Sequence, residues 1–213
     1  MKNIRIDMPQ DVREIINTLE DAGFEAFAVG GCVRDAVLGR VPADWDITTS
    51  AMPEEVKGLF SRTIDTGIQH GTVTVMKDHI GYEVTTYRID GEYEDARHPK
   101  EVTFTSNLIE DLKRRDFTIN SLAYNPLYNN GEVIDYFNGI NDLKNKIIRT
   151  INNPFDRFKE DGLRILRALR FSSTLGFEIE EKTFEAIEKN YMLALNTSIE
   201  RRSIEINKLV FGD

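Results

Sequence analysis

The first clear pattern is a stripe of helical period. Val12, Ile15, Ile16 and Leu19 recur at three- and four-residue spacing within residues 9–22. Pro9 suits the first turn and Gly23 the position after the last, so the pattern predicts an amphipathic packing helix. Phe27-Ala28-Val29 is an unbroken apolar run that reads as a short buried strand entering the side-chain-free turn Gly30-Gly31. Residues 32–38 read as a short helix that Gly39 can end, and residues 53–60 as another. Residues 72–76 alternate and predict a strand, paired in a hairpin with residues 82–88 around Asp78-His79-Ile80-Gly81. Residues 133–137 predict a further strand, turned by Asn138-Gly139. From Asn152 onward the pattern is almost wholly helical. One helix opens at Pro154 and runs to Phe171, and a second covers 180–193 with Phe184, Ile187 and Met192 as packing positions. Ser198 caps a last one carrying Ile204, Ile206, Leu209 and Val210. That change places a boundary near residue 150, with an α+β domain over 1–150 and an all-α domain over 151–213.

Composition narrows the class. The 213 residues are 40% hydrophobic and 30% charged, ordinary for a globular protein with a sizeable core. No apolar run approaches the ~18 residues of a membrane span, and the N-terminus lacks the long apolar segment of a signal peptide. One cysteine permits no internal disulfide, so a cytoplasmic location is expected. The net charge of −9 argues against a general nucleic-acid binder, but the charge is uneven. Residues 157–170 hold five Arg or Lys against two acids, and Lys113-Arg114-Arg115 is a second basic patch.

The candidate chemistry gathers at Gly30-Gly31-Cys32-Val33-Arg34-Asp35 and Asp44-Trp45-Asp46. A glycine turn at a helix start lets backbone N–H groups approach an anion, and the Arg34 guanidinium fits a phosphate. In an extended segment Asp44 and Asp46 share a face, about 6–7 Å apart, with Trp45 turned to the core. Two such carboxylates repel unless a cation lies between them, and hard oxygen donors with room for phosphates suit Mg²⁺. A phosphate cradle beside a carboxylate pair points to metal-dependent nucleotidyl transfer.

Gly30-Gly31-x-Val33-Arg34-Asp35 followed by Asp44-x-Asp46 resembles the catalytic signature of the class II tRNA nucleotidyltransferase and bacterial poly(A) polymerase family. Arg114-Arg115-Asp116 ahead of Asn120-Ser121-Leu122-Ala123, read as a helix, and Glu160-Asp161-x-x-Arg164 are similar to two further motifs of that family. The resemblance implies a nucleotidyltransferase-type mixed-sheet head over 1–150 and a helical neck over 151–213. It implies addition of C, C and A to the tRNA 3′ end from CTP and ATP, with pyrophosphate released. Asp44 and Asp46 would hold two Mg²⁺, and Glu83, on a neighbouring strand, would be a third catalytic acid. Arg115 would contact the incoming nucleotide. Asp161 and Arg164 would pair with the base edge, with Arg167 and Arg170 nearby. An acid accepts from an exocyclic amine, which C and A carry and U and G do not present there. A loop over 89–105, containing Asp90-Gly91-Glu92-Tyr93, resembles the one that serves addition of the final A. Poly(A) polymerases and relatives adding only CC or only A share these motifs and remain the alternative. Family members are usually longer, with helical body and tail domains that grip tRNA.

Overall fold

The computed structural model describes residues 4–91 and 102–212. These form two compact units. One takes the residues up to Ile89, Val102–Arg114 and Asn120–Tyr136; the other takes Arg115–Ile119 and the chain from Phe137 onward. The boundary expected near residue 150 therefore falls inside the second unit. The loop read at 89–105 lies mostly in 92–101, outside the described residues.

The first unit begins with α1 (Gln10–Asp21), where Val12, Ile15, Ile16 and Leu19 are all buried as the stripe predicts. Burying each such side chain stabilises by roughly 1.5–3 kcal/mol. There follow β1 (Ala26–Val29), α2 (Gly31–Val37), β2 (Ile47–Thr49), α3 (Pro53–Leu59), β3 (Thr63–Gly67), β4 (Thr72–Lys77) and β5 (Ile80–Thr86). A small ladder joins β6 (Arg88–Asp90) to β7 (Val102–Phe104), and α4 (Leu108–Lys113), β8 (Leu122–Tyr124) and β9 (Ile134–Asp135) complete the unit.

Seven strands make one sheet in the order β3-β4-β5-β2-β1-β8-β9. It is mixed: β2 runs parallel to β5, with Ile47 opposite Val84, and the other neighbours are antiparallel. The β4–β5 hairpin closes through Asp78 and His79, at φ 46° and 69°. Two left-handed residues match the twist of the strands they join. The helix expected over Asn120-Ser121-Leu122-Ala123 is instead a 3-10 turn, Thr118–Asn120, followed by β8. Leu122 and Ala123 are fully buried, and Ala123 pairs with Val29. Pairing with a central strand decides an apolar segment too short to declare its own period. The strand expected over 133–137 shortens to β9.

The second unit holds α5 (Gly139–Asn145), β10 (Ile147–Ile148), α6 (Pro154–Glu160), α7 (Leu163–Leu175), β11 (Glu178–Ile179), α8 (Glu181–Asn190), a 3-10 stretch Tyr191–Asn196 and α9 (Ile199–Phe211). Strands β10 and β11 pair in parallel. Asn153 caps α6, with Pro154 in the first turn, and Ser198 caps α9 as read from the sequence.

The single helix expected from Pro154 to Phe171 is two. Asp161, at φ −145° and ψ 105°, leaves helical space, and its Oδ1 accepts from the Leu163 N–H at 3.0 Å to start α7. Two packing assignments also change. Ile187 is buried, but Phe184 and Met192 are exposed. On α9, Ile204, Ile206 and Val210 face outward while Glu205 is buried. On α7, Leu169 is exposed while Arg164 and Arg170 are buried. Among the described residues no helix is long and apolar enough to cross a membrane.

Candidate active site

In the first unit, β1 delivers the chain to Gly30, whose φ of 85° and ψ of −131° only glycine adopts readily. Its N–H donates to the Leu122 carbonyl at 3.0 Å and its carbonyl accepts from the Arg34 N–H, which seats the turn between β1 and β8. Gly31 opens α2. Arg34 is buried, not displayed. Its Nε and Nη2 donate to the two Asp35 oxygens at 2.8 and 2.9 Å, and Nη1 donates to Asn120 Oδ1 at 2.8 Å. This guanidinium is occupied in holding the glycine turn to the segment ahead of β8. Cys32 lies behind the turn, where burial pushes its thiol up to about 12.

Asp44 and Asp46 stand just ahead of β2, not within it as bounded, although the Asp46 carbonyl still accepts from the Val29 N–H at 3.0 Å. The expected alternation holds: both carboxylates are exposed and Trp45 between them is 7% exposed. Glu83 lies inside β5, exposed and opposite Thr74. Val84 is the parallel partner of Ile47, so continuing that register by one residue sets Glu83 beside Asp46. The next residues inward on this face are Thr48 and Thr85. Thr48 donates to the buried Asp111 of α4 at 3.1 Å, and Asp111 also pairs with Arg114 at 2.8 Å. The carboxylates thus sit where the sheet face emerges from beneath α4. Two exposed carboxylates fit a hard divalent cation that takes its other ligands from phosphate oxygens and water. Among the described residues no three His, Cys, Asp or Glu side chains form a cage for an ion, so Glu83 is not brought into a three-carboxylate cluster with the pair.

In the second unit the arginines of α7 are buried or half-buried against acids, one of them near in sequence and two remote. Arg164 donates to Glu160 Oε2 at 2.6 Å and to the Arg157 carbonyl at 2.9 Å. Arg167 pairs with Asp116 at 2.7 Å and with Glu205 at 3.3 Å; Arg170 pairs with Glu205 at 2.7 Å. Burial works against the Arg167 charge, but the two carboxylates outweigh it and hold the guanidinium above its ordinary range. Asp116 therefore orients an arginine. The half-buried Arg115 is tied through its carbonyl, which accepts from Arg157 Nη2 at 2.7 Å; Arg157 also pairs with Glu160. Asp161 pairs with Arg201 of α9 at 2.8 Å. Arg157, Glu160, Arg201 and Glu205 were not singled out from the sequence as site residues. The only local signal was the four-residue spacing of Arg201 and Glu205 in the last helix.

A seven-stranded mixed sheet carrying a glycine turn and a carboxylate pair, in a chain that continues into a helical unit, is a nucleotidyltransferase-type head and neck. Residues 26–149 match the poly A polymerase head domain, and residues 176–213 match a region described as a probable RNA and SrmB-binding site of polymerase A. The chain belongs to the poly A polymerase head-domain family. It is 53% identical over 213 residues to the CCA-adding enzyme of Lactobacillus helveticus, an alignment covering 98% of this chain and 53% of that one. It is 51% identical over 208 residues to the CCA-adding enzyme of Enterococcus faecalis, covering 96% and 50%. Among solved structures, the Bacillus stearothermophilus CCA-adding enzyme in complex with CTP superposes with a TM-score of 0.86 at 44% identity, over 94% of this chain and 48% of that chain. This chain spans about half the length of the curated relatives it matches.

Proposed function

We propose that this chain carries the nucleotide-selecting and catalytic portion of a CCA-adding tRNA nucleotidyltransferase. It joins C, C and A to the tRNA 3′ end from CTP and ATP. The observation that carries the reading is the break between α6 and α7. It takes Asp161 out of helical space three positions ahead of Arg164, whose Nη1 is held by Glu160 and the Arg157 carbonyl, and the reading has this acceptor and donor meet the edge of C or A. The relative solved with CTP supports the same class of substrate.

The reaction forms one bond and breaks one. The tRNA 3′ oxygen attacks the α-phosphorus, its proton passes to a carboxylate or water, and the bond to the β-phosphate breaks so that pyrophosphate leaves. Asp44 and Asp46 would hold the metal, with Glu83 the neighbouring acid. Mg²⁺ held there would supply charge that lowers the pKa of the attacking hydroxyl and neutralises the departing phosphates. The Gly30-Gly31 turn brings backbone N–H groups toward the triphosphate. Arg115 meets the phosphates from its anchored main chain. Arg34, Arg167 and Arg170 act by fixing the turn and α7, since each is already committed to a carboxylate. A tRNA substrate places this work in the cytoplasm.

The test is incorporation of labelled CMP into tRNA lacking its CCA end. Uptake that requires Mg²⁺ and is lost in Asp44→Asn/Asp46→Asn supports the assignment. Uptake that survives in this double variant refutes the role of the carboxylate pair.

A further inference from the structure

The carboxylate assigned above to reading the base is held by a residue forty positions downstream. Asp161 Oδ2 accepts from Arg201 Nη2 at 2.8 Å; Oδ1 accepts from the Leu163 N–H at 3.0 Å and from Arg201 Nη1 at 3.4 Å. An ionised carboxylate offers about four lone-pair positions. Three are taken, and the one left open belongs to Oδ2. A planar two-pronged guanidinium fixes the plane of a carboxylate as well as its place, which a lysine ammonium cannot do. One turn further along α9, Glu205 grips Arg170 and Arg167 of α7. The same face of α9 thus holds the α6–α7 junction by a cation at Asp161 and by an anion at the helix that follows.

We propose that Arg201 is a specificity-determining positioning residue, a role that rests on the base-reading function of Asp161. It touches no nucleotide. By locking the Asp161 carboxylate it leaves one acceptor direction, which meets the exocyclic amine of cytosine or adenine and repels the carbonyl that uracil or guanine places there. Without Arg201 the carboxylate keeps only the Leu163 N–H. It can then rotate, admit water, and solvate the wrong base edge.

The experiment measures equilibrium binding of radiolabelled CTP and of UTP, with Mg²⁺, to the unaltered chain and to Arg201→Ala, Arg201→Lys and Asp161→Ala. The expected result is a preference for CTP that falls about tenfold in Arg201→Ala, the scale of one oriented charge-assisted hydrogen bond, and is partly restored in Arg201→Lys. Arg201→Lys keeps the charge, so its ratio decides the matter if the alanine variant does not fold. A CTP-to-UTP ratio unchanged in both Arg201 variants overturns the proposal, as does tighter CTP binding in Arg201→Ala, which would make Arg201 a competitor of the base. Asp161→Ala separates the layers. If that variant loses the preference while both Arg201 variants keep it, Arg201 has no such role and the base reading stands. If Asp161→Ala keeps the preference, or the unaltered chain shows none, the base reading fails and this inference with it.

Discussion

Gly162 supplies a prediction whose sign opposes local propensity. Gly162 stands just ahead of α7, and at φ −62° it sits in ordinary right-handed space, where alanine is unstrained and restricts the unfolded chain by about 0.4–1 kcal/mol. Propensity alone would have Gly162→Ala neutral or stabilising. The surroundings say otherwise. A Cβ at this position would lie 2.2 Å from the Leu193 carbonyl oxygen, 2.5 Å from its carbon and 3.0 Å from the Ala194 nitrogen. Ordinary non-bonded contacts lie near 3.5 Å, so the 3-10 stretch would have to withdraw by roughly 1 Å. These atoms are main chain, so no rotamer change relieves the clash. Overpacking of this kind costs about 1–3 kcal/mol. We expect a net loss of about 2 kcal/mol, or roughly 4–8 °C in Tm for a chain of this size. Gly58 on α3 is the matched control. Nothing lies within 4 Å of its added Cβ, so Gly58→Ala should stabilise by about 0.4–1 kcal/mol. Thermal and urea unfolding of the two variants read the difference. A Gly162→Ala protein as stable as the unaltered one refutes the close approach, and shifts of the same sign in both variants refute the reasoning that separates them. Because Asp161 precedes this glycine, nucleotide binding should weaken along with stability.

Other outcomes follow from the same geometry. Asp44→Asn and Asp46→Asn remove exposed carboxylates, so stability should stay within about ±0.5 kcal/mol while CMP incorporation falls to background; a large drop in Tm would give the pair a structural role instead. Asp111→Ala strips Thr48 and Arg114 of a fully buried partner and should cost about 3–5 kcal/mol, read by urea midpoint, with a near-neutral result showing that the network is unimportant. At alkaline pH the buried Cys32 thiol, pushed up to about 12 from 9.0 by burial, and the Tyr87 phenol, raised by burial, stay protonated in the fold where the unfolded chain loses the proton. The stability they support is present below the ordinary thiol range and lost as pH rises from about 9 toward 12, so the urea midpoint should fall steadily across that window; a flat profile contradicts their burial. The same burial makes Cys32 inert to alkylation until the chain unfolds, and rapid labelling of the folded protein would contradict it.

What the sequence disclosed was mostly local. The stripe on α1, the alternation Asp44-Trp45-Asp46 and the glycine turn each carry their own period or their own conformational demand. The pairing partners of the arginines do not. Arg167 is half-buried against Asp116 and Glu205, 51 and 38 residues away, and no spacing rule connects them. The outward Ile204 and Ile206 and the inward Glu205 follow from the same ionic packing, which inverts the expectation that the isoleucines of the last helix pack inward. The break at Asp161-Gly162 was signalled by the glycine, but arginines at regular three-residue spacing favoured an unbroken helix. In the head, Leu122 and Ala123 became a strand because β1 offered an edge.

The account stands most directly on the identity of the product. Transfer RNA ending at its discriminator base, incubated with all four nucleoside triphosphates and Mg²⁺, should end in C, C and A when its 3′ end is sequenced, with growth stopping there. Runs of A, frequent U or G, or no extension would contradict it.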